Sequence, residues 1–198
     1  MDEILLNSET YHPKESDLPC LVTYGEGSGG SHFTISLVAH LFFSSSKILF
    51  ITAFPMAKDD FLKQVGLDNP EVSLVNSLEE LGVNKNKKVL ILDSGNGNLF
   101  IEVAKALEDL KDRVVLVKNM EVFKSEVIDI CIGLDKIILS GDIDACLNKD
   151  QILNKKFETT VIFTKPATSL SIELPSLEKW SGYLSSDNNS GIVKVQMK

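Results

Sequence analysis

The hydrophobic positions of this chain fall into short apolar runs separated by longer segments with a helical period. In the segment 31–43, for example, Phe33, Leu37 and Leu41 recur at a spacing of four residues, which is typical of a helix face. Near-continuous apolar strands that alternate with helices indicate a mostly parallel sheet covered on both faces. We therefore predict an α/β fold, a three-layer sandwich with a mostly parallel central sheet. The predicted strands lie at 21–24, 48–51, 72–75, 88–92, 114–117, 136–139 and 160–163, and the helices at 31–43, 57–65, 98–110, 121–132 and 143–154.

The two ends of the chain depart from this alternation. Residues 1–18 are mostly polar and are expected to form an extended N-terminal lead-in to a single domain at 19–198. Near the C-terminus, two apolar runs flank the polar turn segment 187–191. This pattern predicts a C-terminal β-hairpin at about 180–197, at the edge of the sheet.

Composition and charge argue against several classes of protein. With 20 basic and 28 acidic residues, the net charge is −8, so direct nucleic-acid binding is not expected, because phosphate backbones are bound by lysine and arginine. No apolar run approaches the roughly 20 residues that cross a bilayer, and no membrane association is expected. Cys20, Cys131 and Cys146 are odd in number and widely spaced. This spacing favours reduced thiols and a cytoplasmic protein.

The segment most informative about function lies between the first predicted strand and the first predicted helix. Glycine allows the backbone to approach a ligand closely, so that successive N–H groups can point at one anion. The N-terminus of the following helix adds its own unpaired N–H groups. The alternative is a glycine-rich turn that only lets strand and helix pack closely. We predict that the segment binds the phosphates of a nucleotide through Gly25, Glu26, Gly27, Ser28, Gly29, Gly30, Ser31 and His32.

This segment resembles the Walker A loop of P-loop NTPases, G-x-x-x-x-G-K-[ST], but departs from that pattern. In one register Gly29, Gly30 and Ser31 take the last three positions, so Gly30 replaces the lysine and Tyr24 replaces the opening glycine. In a second register, Ser31 replaces the lysine and His32 the Ser/Thr. We prefer the first because it keeps a hydroxyl at the position that holds magnesium. Neither register restores the lysine, which contacts the β- and γ-phosphates in the family.

Other segments extend the resemblance. The run Lys88–Asp93 is similar to a Walker B strand, an apolar run that ends in an acid. The resemblance implies that Asp93 supports a magnesium ion next to the hydroxyl of Ser31. The arrangement of the first strands and the terminal hairpin also resembles RecA- and KaiC-type ATPases, in which a catalytic glutamate often follows the second strand. Here the corresponding segment 52–55 contains no carboxylate.

These features predict a degenerate P-loop protein of the RecA/KaiC type. It would bind Mg-ATP or another nucleotide weakly, because losing one charge-assisted hydrogen bond costs roughly tenfold in affinity. It would act as a non-catalytic pseudo-ATPase partner of an active ATPase, or as a homo-oligomer. Arg113 is the one arginine among the 20 basic residues, so the chain cannot form a clamp of several arginines around a phosphoryl group.

Two alternatives remain open at the level of the sequence. The first is a scaffold or assembly protein that keeps the fold and binds no nucleotide. The second is an active ATPase with a displaced lysine, in which the catalytic candidates are Lys118 and Lys165. Each of these lysines follows a predicted strand, and ligands of open α/β sheets bind at the carboxyl ends of the strands.

Overall fold

The structure, a computed structural model, describes residues 1–93, 97–164 and 174–197, with the backbone alone of Asp93. The strands of this part are β1 (Glu3–Leu6), β2 (Glu9–Thr10), β3 (Cys20–Thr23), β4 (Ile48–Thr52), β5 (Val72–Leu74), β6 (Val89–Asp93), β7 (Val114–Lys118), β8 (Ile137–Gly141), β9 (Thr159–Ile162), β10 (Ser181–Ser186) and β11 (Ser190–Gln196). The α-helices are α1 (Gly30–Phe43), α2 (Pro55–Val65), α3 (Leu78–Asn84), α4 (Asn98–Ala106), α5 (Ser125–Ile132) and α6 (Lys149–Asn154).

These strands form one sheet in the order β2-β1-β11-β10-β9-β3-β8-β7-β4-β6-β5. The pairs from β9 to β5 are all parallel, and the pairs that involve β1, β2, β10 and β11 are antiparallel. The predicted α/β class with a mostly parallel sheet is therefore confirmed. The predicted C-terminal hairpin is also confirmed, since β10 and β11 pair with each other and β10 extends the sheet beyond β9.

Two apolar layers cover the sheet. On one face, Phe33 of α1 and Phe61 of α2 are buried together with Phe50 of β4. On the other face, Phe100 of α4 and Val127 of α5 are buried in a second cluster. A strand that is covered on both faces needs apolar side chains at successive positions, which explains the near-continuous apolar runs in the sequence. None of the helices in the described part of the chain is long and apolar enough to cross a membrane.

The N-terminal segment, predicted as an extended lead-in, contributes two strands to the sheet. Strand β1 pairs antiparallel with β11, with Ile4 opposite Val195. Ile4 is fully buried, whereas the other residues of β1 are partly exposed. A single buried side chain leaves no alternating pattern in the sequence, so the pairing could not be predicted.

Three predicted helices are shorter than the pattern indicates, and the one at 98–110 ends at Ala106. The segment 121–132 becomes helical only at Ser125, because Asn119 has a φ of 61° and is followed by a 3-10 turn at Met120–Val122. The segment 143–154 is divided between the 3-10 turn Ile143–Ala145 and α6. Both interruptions lie directly after parallel strands, at the edge of the sheet where the glycine-rich loop also lies.

The carboxyl ends of the parallel strands set the geometry of this edge. One row of paired residues crosses five adjacent strands, from β3 to β6: Val22, Ser140, Lys118, Thr52 and Asp93. Neighbouring strands are separated by about 4.8 Å, which places Lys118 about 10 Å and Asp93 about 19 Å from β3. Lys118 therefore lies near the strand that carries the loop, and Asp93 does not.

Candidate functional site

The glycine-rich loop connects the carboxyl end of β3 to the N-terminus of α1, where the sequence predicts it. Helix α1 begins at Gly30, and the amide of Phe33 donates to the carbonyl oxygen of Gly29 at 3.0 Å. Gly27 and Gly29 have φ values of 70° and 95°, and they alternate with residues of negative φ. Glycine adopts this conformation without steric cost. Such alternation turns successive N–H groups toward one concave side, which binds anions.

Several N–H groups of this loop are not used inside the protein. The amide of Gly25 donates to Thr164 Oγ1 at 3.1 Å, and the amide of Ser28 donates to the carbonyl oxygen of Gly25 at 3.4 Å. Buried or ligand-facing N–H groups rarely remain without an acceptor, so unused ones at a surface are available to solvent or a ligand. Five amides of the loop donate to no acceptor within residues 1–93, 97–164 and 174–197. They are the amides of Glu26, Gly27, Gly29, Ser31 and His32.

A cleft of about 750 Å³ opens in front of the loop. The loop residues 24–29 form one wall, and the segments that follow β7 and β8 form the opposite wall. Four of the lining residues are acidic and, among the described residues, none is a lysine or an arginine. An anion in this cleft would therefore meet both the free amides of the loop and four carboxylates, one of which belongs to the loop itself. The acidic residues are Glu26, Asp60, Glu121 and Asp142.

Tyr24 occupies the space that a side chain at position 30 would need. A Cβ atom on Gly30 would lie 2.4 Å from Cβ and 2.5 Å from Cγ of Tyr24, which is well inside van der Waals contact. A lysine at position 30 therefore has no room beside this tyrosine. In the preferred register, Tyr24 replaces a glycine and Gly30 replaces the lysine. The two replacements depend on each other, because the tyrosine ring needs the space that a side chain at position 30 would fill.

The side chain of Lys118 is buried against this tyrosine. Lys118 is 1% exposed, and its Nζ donates to Tyr24 Oη and to Asn119 Oδ1, the latter at 3.0 Å. The same nitrogen lies 4.9 Å from the centroid of the Tyr24 ring. Burial lowers the pKa of Lys118 to about 8, although the carboxylates of Glu121 and Asp60 oppose this shift. Burial also raises the pKa of Tyr24, so the phenol stays protonated at neutral pH.

Glu121 is a candidate site residue that the sequence did not reveal. Its carboxylate accepts hydrogen bonds from Asn119 Nδ2 at 3.2 Å and from the backbone amide of Asp142 at 3.1 Å. These two bonds fix an acid in the cleft. The resemblance to RecA- and KaiC-type ATPases implies such an acid after β4, but β8 and then β7 are the strands that follow β3 on this side of the sheet. Because strand order is not encoded locally, no sequence signal distinguished Glu121 from other acidic residues.

Trp180, which directly precedes β10 of the C-terminal hairpin, contacts the glycine-rich loop. Its Nε1 donates to the carbonyl oxygen of Gly27 at 3.1 Å. This hydrogen bond fixes the direction of the Gly27 carbonyl group. A Cβ atom on Gly29 would lie 3.3 Å from Cα of Trp180, so the tryptophan backbone also packs closely on the loop. Trp180 is the only tryptophan of the chain. Its role could not be predicted because it is distant from the loop in sequence.

The remaining predicted site residues are Ser31, His32, Asp93 and Lys165. Ser31 and His32 both line the cleft, and Nε2 of His32 lies 2.9 Å from Oδ2 of Asp2, in the N-terminal segment. The magnesium site predicted at Ser31 and Asp93 stays a prediction, and three strands separate β6, which carries Asp93, from β3. Lys165, the second catalytic candidate, lies outside the described residues. In the described part of the chain, no group of three or more His, Cys, Asp or Glu side chains could hold a metal ion.

Comparisons with known proteins show similarity in structure only. No protein-family model matches the chain, and no curated protein sequence matches it. A solved structure of the genome packaging NTPase B204 from Sulfolobus turreted icosahedral virus 2, in complex with sulfate, superposes with a TM-score of 0.58 at 14% identity, over 90% of this chain and 94% of that one. The same NTPase in complex with AMPPCP gives a TM-score of 0.58 at 12% identity, over 93% of this chain and 98% of that one.

A second similar structure comes from bacteria. ATPases 2 and 3 of EssC from Geobacillus thermodenitrificans superpose with a TM-score of 0.60 at 10% identity, over 98% of this chain and 40% of that one. Identities this low carry information about the fold and not about the activity. The sheet, the loop between β3 and α1 and these neighbours agree: the chain has the fold of P-loop NTPases.

Proposed function

We propose that this protein is a degenerate P-loop protein that binds a nucleotide weakly at the glycine-rich loop and does not hydrolyse it efficiently. The observation that carries this proposal is the set of five unused amides in an alternating backbone conformation at the start of α1. Backbone N–H groups and a helix N-terminus suit the phosphate groups of ATP or another nucleotide. No side chain of the described residues fills the space between these amides and the cleft walls.

Weak binding follows from the charges of the site. The lysine that would contact the β- and γ-phosphates is absent, and Tyr24 closes the space that it would need. Each missing charge-assisted hydrogen bond reduces affinity by roughly tenfold or more. The carboxylates of Glu121 and Asp142 on the opposite wall repel a polyphosphate further.

Inefficient hydrolysis is expected because none of the described residues that line the cleft is a lysine or an arginine that could stabilise the transition state. One electrostatic donor at the reacting group is worth about 3–4 kcal/mol. Arg113, the only arginine of the chain, is fully buried and donates to the carbonyl oxygens of Lys85 and Lys87. It is therefore available neither to its own loop nor to the loop of a neighbouring subunit. These properties support a RecA/KaiC-like, non-catalytic partner of an active ATPase.

A second candidate is an active ATPase with a displaced lysine. It is favoured by one observation, the contact of Lys118 with Tyr24 near the fixed carboxylate of Glu121. Glu121→Gln separates the two candidates, because it removes a general base but leaves the loop intact. An active enzyme loses turnover by about 100-fold or more in this variant. The proposed non-catalytic protein shows no turnover above that of a loop-disrupted variant.

Binding itself is tested by calorimetric titration of ATP, with and without Mg²⁺. We expect a dissociation constant on the order of 0.1–1 mM, since the described residues that line the cleft offer backbone donors but no lysine or arginine to the phosphates. Gly29→Val weakens binding by about tenfold or more, because a β-branched residue cannot adopt a φ of 95° without strain.

The matched control is Gly82→Val on α3, where a Cβ atom has open space and φ is not in the positive range. This variant should bind ATP like the parent protein. If the parent protein gives no heat of binding at millimolar ATP in either buffer, the loop does not bind nucleotide and the scaffold alternative is supported instead.

A further inference from the structure

Where this fold would hold a magnesium ion, this protein has an ammonium group and a phenol instead. In the preferred register Ser31 supplies the hydroxyl for the ion. Burial raises the pKa of Tyr24 and hydrogen bonding with Ser140 and Ser31 lowers it, and the ammonium of Lys118 donates to the phenol oxygen. The hydroxyl expected to hold a divalent cation is therefore next to a resident monovalent one.

The residues present do not fit magnesium. Mg²⁺ requires an octahedron of oxygen ligands at about 2.0–2.1 Å, which waters, substrate phosphates and one or two protein carboxylates usually supply. The backbone of Asp93 lies four strand positions from β3, and the residue at the corresponding position of β7 is Lys118. An ammonium donates hydrogen bonds and accepts none, so it repels a metal ion instead of holding one.

We propose that the buried ammonium of Lys118 takes the place of the divalent cation, so that the loop binds a phosphate group without a metal ion. This inference rests on the function proposed above and concerns the same site. The charge of Lys118 is almost completely shielded from solvent, and a buried charge is less screened than one at the surface. The nearby carboxylates of Glu121 and Asp60 favour its protonated form.

Tyr24 transmits this charge to the loop as a positioning residue. Because Nζ of Lys118 donates to the phenol oxygen, that oxygen acts as acceptor toward the lysine and keeps its own proton. The phenol can then donate this proton to a hydroxyl of Ser31 or Ser140, or to an oxygen of a bound phosphate group. The ring also fills the space above Gly30, so one side chain replaces both the volume and the donor of the missing lysine.

The experiment compares ATP binding to the full chain by calorimetry in EDTA and in Mg²⁺. The parent protein is expected to bind in both buffers with affinities that differ by less than about threefold, since no metal ligand set is completed. Lys118→Met weakens binding in EDTA by about tenfold or more. Lys105→Met, which removes an exposed lysine of α4, is the matched control and leaves binding unchanged. Thermal unfolding checks that each variant is folded.

Two further variants test the exchange of cations. Lys118→Asp places a carboxylate on β7 and is expected to bind ATP only when Mg²⁺ is present. Tyr24→Phe keeps the ring over Gly30 but removes the phenol hydroxyl that donates. This variant is expected to weaken ATP binding in EDTA by about 3- to 10-fold. Because Lys118→Met is similar in length to lysine, it tests the proposal even if Lys118→Asp does not fold.

The outcomes separate the two proposals. If the parent protein binds ATP only with Mg²⁺, or if Lys118→Met binds in EDTA as well as the parent, the metal-independent site is disproved while nucleotide binding stands. If the parent binds ATP in neither buffer, the proposed function itself fails, and the inference about the metal fails with it.

Discussion

Gly30→Ala is expected to lower the free energy of unfolding by about 3 kcal/mol, because inserting an atom into a filled space costs about 1–3 kcal/mol or more. At an ordinary helical position the same change would be stabilising by about 1 kcal/mol. The difference arises because the new Cβ atom would lie 2.4 Å from Cβ of Tyr24, which is 8% exposed and cannot move outward freely. Urea denaturation of the two proteins measures the effect.

A double-mutant cycle tests whether Tyr24 is the cause. Gly30→Lys restores the Walker lysine and Tyr24→Gly restores the opening glycine of the pattern. Each single variant should be destabilised, by about 3 kcal/mol from overpacking in the first and about 3–5 kcal/mol from loss of a buried ring in the second.

The double variant should be more stable than the sum of the two losses indicates, by about 2–3 kcal/mol. Gly82→Ala is the control for the general effect of replacing a helical glycine, since its Cβ atom meets nothing within 4 Å. Additive losses, or a Gly30→Ala variant as stable as the parent, would show that Tyr24 does not occupy the place of the lysine.

Arg113→Ala should destabilise the fold by about 3–5 kcal/mol, because it removes three hydrogen bonds of a buried charged donor, and such bonds contribute about 1.5–3 kcal/mol each. The guanidinium is fully buried and donates to Asp109 Oδ1 at 3.1 Å, to the carbonyl oxygen of Lys87 at 3.2 Å and to that of Lys85 at 2.7 Å. Its removal leaves two carbonyl groups and one carboxylate without this donor. The loss is measured by urea denaturation at neutral pH.

The control for this prediction is Lys47→Ala. Lys47 pairs with the same carboxylate, Asp109, at 3.3 Å, but its side chain is 51% exposed. An exposed ion pair contributes about 1 kcal/mol or less, so this variant should be nearly as stable as the parent. If Arg113→Ala lowers the stability as little as Lys47→Ala does, the arginine is not a structural residue. Its burial would then no longer argue against a contact with a phosphate group.

The part of the site that could be predicted from sequence is the part that is local in the chain. Segment 24–32 joins an apolar strand to an amphipathic helix, and this order alone places its amides at a helix N-terminus. The strand runs were equally readable, because β3, β4 and β7 are buried on both faces. The hairpin of β10 and β11 could be predicted from its turn segment.

The part that could not be predicted depends on strand order and on contacts between distant residues. Asp93 ends an apolar strand as an acid would in the Walker B pattern, yet β8, β7 and β4 separate that strand from β3. Lys118 lies close to the loop for the same reason. The contact of Tyr24 with Gly30 depends on the direction of one side chain, and the bond from Trp180 to Gly27 joins residues 153 positions apart.

Chemical-shift perturbation of the ¹⁵N-labelled protein shows whether the unused amides of the loop hold a phosphate group. On addition of ATP in EDTA, the resonances of Glu26, Gly27, Gly29, Ser31 and His32 should shift together and saturate with one dissociation constant. The same titration of Gly29→Val should leave them in place. Unchanged loop resonances, or shifts confined to other parts of the protein, would contradict the claim.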